Sequence, residues 1–319
     1  MKARYTEYDY EELYNQSIDG WDEQMAANLL ERARGVYATK EVSFGGQMDV
    51  EIYQEFDRKE AKEQGVPRLD KKLQRKMIEQ LNGKRARKYF KRLADHNFSD
   101  GDYWITLTYE NVPESTEAAV ECMQKYIRNI NKKRKRRELP NARYIYTTET
   151  TSVDGEIVRI HHHMLMDGML DIGTVIETWK HGGRNEFRKI QTDEDGIASI
   201  ATYMAKPAAD KHRKKHEKRW TSSRNLKKPE EKKHHQTRTK EINKMIRNHN
   251  YIKEYIEQAK MRNGKLRYAG YVYVDSEVRY NNINGRYYIS IHLRKADYGK
   301  RKYNVSTYRD DEKRNPDRR

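Results

Sequence analysis

The sequence predicts an α+β fold in which helices pack on a central, mostly antiparallel sheet. Short segments rich in β-branched and aromatic residues recur through the middle of the chain, and segments with helical periodicity separate them. Their order begins strand, helix, strand, strand, with Asp154-Gly155 as the turn signal between the last two. Because 35% of the 319 residues are hydrophobic and 36% are charged, we expect two or three units rather than one compact globule.

The first quarter of the chain has mainly helical patterns. Apolar residues recur at helical spacing in three segments, Trp21–Arg34, Leu69–Leu81 and the strongly basic Arg85–Asp95, with Gly83 as an interruption between the last two. Gln47–Phe56 instead alternates as a strand does. Residues 1–84 are therefore predicted to form a helical N-terminal arm.

The middle of the chain supplies the predicted sheet. Four segments have strand character: Tyr103–Tyr109, Arg143–Thr151, Ile157–Met166 and Asn185–Ile190. Three helices are expected between and after them: Glu114–Arg137, Asp171–Lys180 and Ile197–Lys206, the last stopped by Pro207. We expect residues 85–229 to fold as one domain.

The last third of the chain changes character three times. Residues 230–263 are so highly charged that we expect exposed helix or linker. A small C-terminal β unit is predicted over residues 264–294, where alternating segments surround the hairpin signal Asn284-Gly285. Residues 295–319 form a basic tail that carries too little apolar surface to fold alone, so disorder is expected there.

The charge of the chain indicates a polyanionic partner. The formal net charge is +17, and the excess lies in runs such as Lys132–Arg137 and Lys211–Arg219. Basic side chains gain affinity for a phosphate backbone by releasing its counterions, and no amphipathic or lipidated segment favours a membrane instead. Nucleic acid is therefore the expected partner, and a solubilising surface is the alternative. The basic residues expected to contact DNA are Lys132, Arg134, Arg136, Arg219 and Arg224.

Several classes of protein are excluded by what the sequence lacks. Cys122 is the only cysteine, which excludes a disulfide framework and a cysteine-based zinc site and fits a reducing cytoplasm. No apolar run approaches the roughly 18 residues of a membrane-spanning helix, so neither export nor a membrane is expected. A phosphate-binding GxxxxGK[ST] loop is also missing, so strand separation would need another protein.

Two histidines mark a candidate metal site. Side chains alternate along a strand, so His161 and His163 point to one side and can both ligate one divalent ion. His162, Met164 and Met166 then face the core. A pair of surface or packed histidines would show the same spacing, so the pattern alone is weak.

A tyrosine and a lysine mark a candidate nucleophile. Tyr203 and Lys206 lie three residues apart on a predicted helix and so share a face. A neighbouring ammonium favours the phenolate and can also hold a phosphate oxygen. Tyr-x-x-Lys is common in helices, so its value depends on its context.

The order of three motifs resembles that of HUH replication initiators from bacterial plasmids, phages and mobile elements. These motifs are Ile105–Tyr109 on a first strand, His161–His163 on a later strand and Tyr203–Lys206 on a helix, and the resemblance covers roughly 85–229. It implies an RRM- or ferredoxin-like nickase domain in the cytoplasm of a bacterial host.

The resemblance also implies roles for single residues. His161 and His163 would hold Mg²⁺ or Mn²⁺, and Tyr203 would attack phosphorus to leave a 5′-phosphotyrosine and a free 3′-OH. Lys206 would stabilise charge at the phosphate or orient DNA, and Thr106 and Thr108 would line the site. The partners would be origin DNA, as a single strand or hairpin, with a host helicase and DNA polymerase.

A third metal ligand is expected, and Glu149 is the first candidate. If Val153-Asp154-Gly155 is the hairpin loop, Glu149 lies opposite Arg159 and on the face of His161. If the turn is Asp154-Gly155 alone, Glu149 falls on the other face. Glu156 is the fallback, although it needs a bulge to reach the histidines.

Other readings stay open at this point. A relaxase or transposase would use the same chemistry, but relaxases usually carry their histidines after the tyrosine, whereas here they precede it. A DNA-binding protein that retains the fold without catalysis is the rival from another class.

Ser199 occupies the position one helical turn before Tyr203, so one site holds one tyrosine nucleophile. A homodimer on DNA is expected to supply the second tyrosine.

Overall fold

A computed structural model of the chain has two antiparallel sheets and six helices in the part that it describes. The described residues are 16–17, 37–54, 71–151, 157–192, 196–206, 218–237, 239–261, 263–281 and 286–296. The helix predicted at Trp21–Arg34, both predicted hairpin turns, Glu156 and nearly all of the tail lie outside them. No described helix is long and apolar enough to cross a membrane.

The described elements are these. The strands are β1 (Gln16–Ser17), β2 (Tyr37–Phe44), β3 (Gln47–Gln54), β4 (Tyr103–Leu107), β5 (Tyr144–Thr151), β6 (Ile157–Met166), β7 (Glu186–Lys189), β8 (Thr221–Ser222), β9 (Glu230–Thr237), β10 (Tyr271–Asn281) and β11 (Arg286–Lys295). The helices are α1 (Lys71–Asn97), α2 (Thr116–Arg136), α3 (Ile172–Thr178), α4 (Ala198–Met204), α5 (Thr239–Arg247) and α6 (Asn250–Gln258).

The first of the two sheets, called here the central sheet, confirms the α+β prediction. Its strands run in the order β7-β4-β6-β5-β8, and every neighbouring pair is antiparallel. Along β4, buried and half-buried residues alternate, as expected for a strand with two different faces. One face packs against α2 and α3, and the other packs against α1 and α4.

Helix α2 shows why the local predictions in this region succeed. Ser115 caps its N-terminus by accepting a hydrogen bond from the Ala118 backbone N–H. Met123, Ile127 and Ile130 follow at helical spacing and are buried against the sheet. Four basic residues occupy the last turn of α2, where positive charge interacts favourably with the helix dipole.

The second sheet, called here the outer sheet, corrects the predicted division into arm, linker and C-terminal unit. Its order is β1-β10-β11-β3-β2-β9. Strands from the beginning and from the end of the chain are therefore neighbours in one sheet. Residues 37–54 are a β-hairpin closed by Gly45-Gly46, not part of a helical arm, and β3 pairs with β11 along seven residues. The predicted C-terminal β unit is thus one half of a larger sheet.

The predicted charged linker is also folded. Residues 230–237 form edge strand β9, and α5 and α6 follow. The two helices bury one apolar face against the outer sheet, through Ile242, Met245, Ile246, Ile252 and Ile256. Their high charge lies on the opposite side, so these are ordinary amphipathic surface helices.

Helix α1 joins the two sheets. It continues through Gly83, where a break was expected. A glycine inside a helix costs only about 1 kcal/mol of stability, and the packing of α1 outweighs that cost. Phe90, Leu93 and Ala94 pack on the central sheet. On another side Arg92 donates to Asp49 at 2.8 Å and to Glu51 at 2.7 Å, which fixes the outer sheet to the same helix.

Candidate metal centre and nucleophile

The histidine strand has the predicted two-sided arrangement. His163 pairs with Thr147 and His161 pairs with Glu149 across β5 and β6, so both histidines and Glu149 share one face. A three-residue hairpin loop predicted Glu149 opposite Arg159; a register shift between Glu149 and Thr151 moves the pairing by two residues and preserves the face.

Hydrogen bonds fix which ring nitrogen each histidine presents. His161 Nδ1 lies 2.9 Å from the Arg159 carbonyl oxygen, which can only accept, so Nδ1 carries the proton and Nε2 of the neutral ring has a lone pair. His163 Nδ1 lies 3.2 Å from Thr106 Oγ1. Such outer contacts are typical of histidines that bind metal through the other nitrogen.

The three side chains converge on one point. Glu149 Oε2 lies 3.4 Å from His161 Nε2 and 3.1 Å from His163 Nε2, and all three candidate ligand atoms lie within 4.8 Å of one another. Burial, and the neighbouring His161, lower the pKa of His163 to about 4, so its ring is neutral at pH 7.

The donor set fits a divalent cation. His163 Nε2 is buried and has no hydrogen-bond partner among the described residues, although the Glu149 carboxylate is close. When Nδ1 of His163 donates to Thr106, its Nε2 lone pair and the Glu149 carboxylate face one another, and a cation between them is attracted to both. Two imidazoles and one carboxylate could therefore hold a metal ion, as the sequence predicted.

His162 lies on the opposite face and is saturated. Its Nε2 lies 2.7 Å from Tyr109 Oη and its Nδ1 lies 3.0 Å from Thr148 Oγ1, while Tyr109 Oη donates to the Ala119 carbonyl at 3.2 Å. His162 therefore donates to Tyr109 and accepts from Thr148. Burial, and the neighbouring histidines, lower its pKa to about 3. It is a core residue, as predicted.

Helix α4 brings the candidate nucleophile to the histidine face. The Tyr203 ring lies 5.0 Å from that of His163 between centroids, and Trp104 approaches its side at 6.2 Å. The tyrosine is 43% exposed, so its hydroxyl is accessible to a large substrate. Ala201 and Met204, also on α4, are buried and anchor the helix to the central sheet.

Lys206 joins the nucleophile to the metal cluster. The helix ends at Met204, so Lys206 lies just beyond it rather than inside it as predicted, yet its Nζ is 5.1 Å from the Tyr203 ring centroid. Its ammonium forms an ion pair with Oε1 of Glu149, the carboxylate oxygen that is not directed at the histidines. In this structure Lys206 thus contacts a candidate ligand, and partial burial lowers its pKa.

The two threonines predicted to line the site differ in their surroundings. Thr106 lies in β4, whereas Thr108 follows the last residue of that strand, Leu107, and both are half-buried. Thr106 contacts His163, whereas Thr108 Oγ1 is buried without a hydrogen-bond partner among the described residues. Only Thr106 therefore touches the metal cluster.

The predicted DNA-binding basic residues separate into three groups. Lys132, Arg136 and Arg224 are exposed. Arg134 is fully buried: it forms an ion pair with Asp167 at 2.8 Å and donates to the Pro140 carbonyl, so the prediction of a DNA contact was wrong. Arg219 is half-buried, and the neighbouring Arg87 guanidinium adds to burial in lowering its pKa.

The central tyrosines of the two C-terminal strands are not available for base stacking on DNA. Tyr280, Tyr287 and Tyr288 are 6% exposed or less and belong to the interior of the outer sheet.

Trp104 is the site residue that sequence reasoning missed. Its position two residues before Thr106, on the same strand face, was the available signal.

One comparison with known proteins gives a match. Residues 102–208 are similar to the family described as replication-associated protein ORF2. This segment, which is less than half of the chain, starts just before β4 and ends after Lys206, so it contains Glu149, both candidate histidine ligands and Tyr203. No curated protein and no solved structure matches the chain.

Proposed function

We propose that this chain initiates replication by nicking single-stranded origin DNA, with Tyr203 as the nucleophile. One observation carries the proposal: the centroid of the exposed Tyr203 ring lies 5.0 Å from that of His163. His163 belongs to the cluster whose donors suit a divalent ion. The match of residues 102–208 to a replication-associated family supports the biological role.

The proposed reaction is a phosphoryl transfer to tyrosine. The Tyr203 hydroxyl oxygen forms a bond to phosphorus, its proton passes to solvent, and the P–O3′ bond breaks. The departing 3′ oxygen takes up a proton and becomes the primer end, while the 5′ phosphate stays on Tyr203 as a diester. The number of phosphodiester bonds is conserved, so no ATP is needed.

Glu149, His161 and His163 would hold Mg²⁺ or Mn²⁺. When bound, such an ion supplies a Lewis acid that polarises a phosphoryl oxygen. Lys206 keeps Oε1 of Glu149 in place, so that Oε2 remains directed at the histidines. Its Nζ also lies 5.1 Å from the Tyr203 ring centroid, where it would stabilise charge on the phosphate or orient DNA.

The partners follow from this chemistry and remain proposals. A host helicase would separate the strands and a DNA polymerase would extend the 3′-OH. Ser199, exposed one turn before Tyr203, offers no second phenol. The cleavage that ends a replication cycle would therefore use Tyr203 of another copy of the chain, in a dimer on DNA.

The decisive experiment looks for the covalent adduct. The protein is incubated with Mn²⁺ and pooled single-stranded fragments of the replicon that encodes it, and attached 5′ ends are mapped by sequencing and peptide mass spectrometry. We expect the phosphodiester on Tyr203, and no adduct with Tyr203→Phe or in EDTA, because the attacking oxygen or the metal is lost.

Tyr89→Phe is the matched control. Tyr89 is 41% exposed on α1, so both substitutions remove a hydroxyl from an equally accessible ring. This control should form the adduct at the wild-type yield. An adduct formed by Tyr203→Phe at wild-type yield would refute the assignment.

A further inference from the structure

A groove with a volume of about 730 Å³ lies between α1, the C-terminal end of α4 and the outer sheet. Six basic side chains line it against three carboxylates, so its lining is net positive at neutral pH. It lies outside the metal cluster, and none of its lining residues belongs to the proposed nucleophile and ligand set.

The basic wall of the groove is one face of α1. Lys84, Arg87, Lys88 and Lys91 recur at the i, i+3, i+4, i+7 spacing, which places them on a single helical stripe. Lys84 and Lys91 are exposed. Arg219 neighbours Arg87, whose guanidinium adds to burial in lowering the pKa of Arg219, so the basic surface continues beyond the groove. Clustered positive charges repel one another, and a bound polyanion would reduce that repulsion.

The outer-sheet carboxylates pair with two cations of the groove itself, Lys88 with Glu51 at 2.8 Å and Arg92 with Asp49 and Glu51, so these two cations are left out of the phosphate contacts proposed below. Asp49 accepts from Arg92 and pairs with His292 at 2.8 Å; burial raises its pKa, but these partners and Lys88 outweigh burial and lower it to about 2. Asp95 accepts from the backbone N–H of Ile197 at 3.1 Å.

One wall of the groove belongs to the helix that carries the nucleophile. Thr202, next to Tyr203 on α4, and Ala205, the C-cap of that helix, line this wall. A row of cations along a groove of this kind suits the phosphates of a single nucleic-acid strand.

We propose that this groove holds the single strand that flanks the scissile phosphate, with Lys84, Arg87 and Lys91 of α1 on its phosphates. The proposal rests on the proposed function, because it names the path of that substrate. The volume lies within the roughly 300–1,000 Å³ of clefts that enclose small ligands, so the groove has room for a few nucleotides of one strand. The outer sheet thereby becomes one wall of the DNA site.

The test removes three charges from the stripe and compares the variant with a matched loss elsewhere. The stripe variant is Lys84→Gln, Arg87→Gln and Lys91→Gln. The control is Lys240→Gln, Arg247→Gln and Lys253→Gln, which also removes two lysines and one arginine, from exposed positions on α5 and α6. Those helices pack on the opposite face of the outer sheet from α1.

Affinity for a fluorescein-labelled oligo(dT) is measured by anisotropy as a function of salt, in a Tyr203→Phe background and without divalent metal. Loss of three phosphate contacts should reduce the slope of log K against log salt by about 2, which is on the order of 100-fold in affinity near 0.1 M salt. The control should retain the parent slope. Circular dichroism checks that both variants fold.

The outcomes separate the groove from the chemistry. Equal slopes for the stripe variant and its parent, or equal losses in stripe and control variants, overturn the groove. Both results leave the Tyr203 adduct of the wild-type chain unaffected. Conversely, a chain that forms no adduct at all can still show the difference between stripe and control, in which case the groove stands and the nicking proposal fails.

Discussion

The two faces of β6 carry the same residue type for different purposes. On one face, His161 and His163 use Nδ1 for a local hydrogen bond and direct Nε2 at Glu149. On the other, His162 uses both nitrogens within the core and has nothing left to offer a ligand. Three consecutive histidines thus divide into a candidate metal site and a structural hydrogen-bond network.

The two faces differ in whether both nitrogens of each imidazole ring have hydrogen-bond partners. A buried polar atom without a partner costs roughly 1–3 kcal/mol, so an orphaned His163 Nε2 is a liability unless a ligand completes it. His162 carries no such cost, because Tyr109 and Thr148 complete it. Substitutions on the two faces should therefore have opposite consequences for activity and for stability.

The largest expected effect is on the histidine pair. His161→Ala combined with His163→Ala should abolish Mn²⁺ binding and reduce the adduct rate by about 1,000-fold or more, because metal catalysis supplies several kcal/mol. His163 is buried, so its truncation leaves a cavity, but the unpartnered Nε2 is removed with it, and the melting temperature of the metal-free protein should fall less than for His162→Ala. Calorimetric titration with Mn²⁺, the adduct assay and thermal melting measure the three quantities. Adduct formation at the wild-type rate would contradict the metal role.

His162→Ala should produce the converse. It leaves a cavity and removes two hydrogen bonds from a residue that is 0% exposed, so we expect a loss of about 2–4 kcal/mol in the free energy of unfolding. Mn²⁺ affinity of the folded protein should be largely retained. Urea unfolding with a parallel Mn²⁺ titration tests this. A stable protein that no longer binds Mn²⁺ would place His162, against the structure, in the metal site.

The features that depend on local periodicity could be predicted from the sequence. Strands β4 to β6, helix α2 and the division of the three histidines follow from alternation or helical spacing within a few residues. Arg134 was mispredicted because it was taken as one of a basic run; it lies four residues after Ile130 and seven after Ile127, on the buried face.

The outer sheet could not be predicted in the same way. Its β3–β11 pairing joins Val50 to Ile291, across most of the chain, and no local pattern specifies a partner at that distance. The charge of residues 230–263 hid amphipathic helices whose apolar positions are few but regularly spaced. The position of Glu149 depended on a register shift that composition does not encode.

The smallest expected effect distinguishes Thr106 from Thr108. Thr106→Val removes the Oγ1 that contacts His163 Nδ1 and preserves the shape of the side chain. Losing the group that orients a metal-binding histidine typically costs 10–100-fold in metal affinity, and we expect about 10-fold because the packing of the ring is unchanged. The unfolding free energy should barely move.

Thr108→Val is the matched control, because the same substitution removes a buried hydroxyl with no hydrogen-bond partner among the described residues. It should leave Mn²⁺ affinity at the wild-type value and stabilise the fold slightly, since an unsatisfied polar atom is replaced by an apolar one. Calorimetric Mn²⁺ titration of both variants, beside urea unfolding, gives the comparison. Equal affinities in the two would show that the Thr106 hydroxyl does not position His163, and that the orientation of the ring comes from packing in β4 and β6 alone.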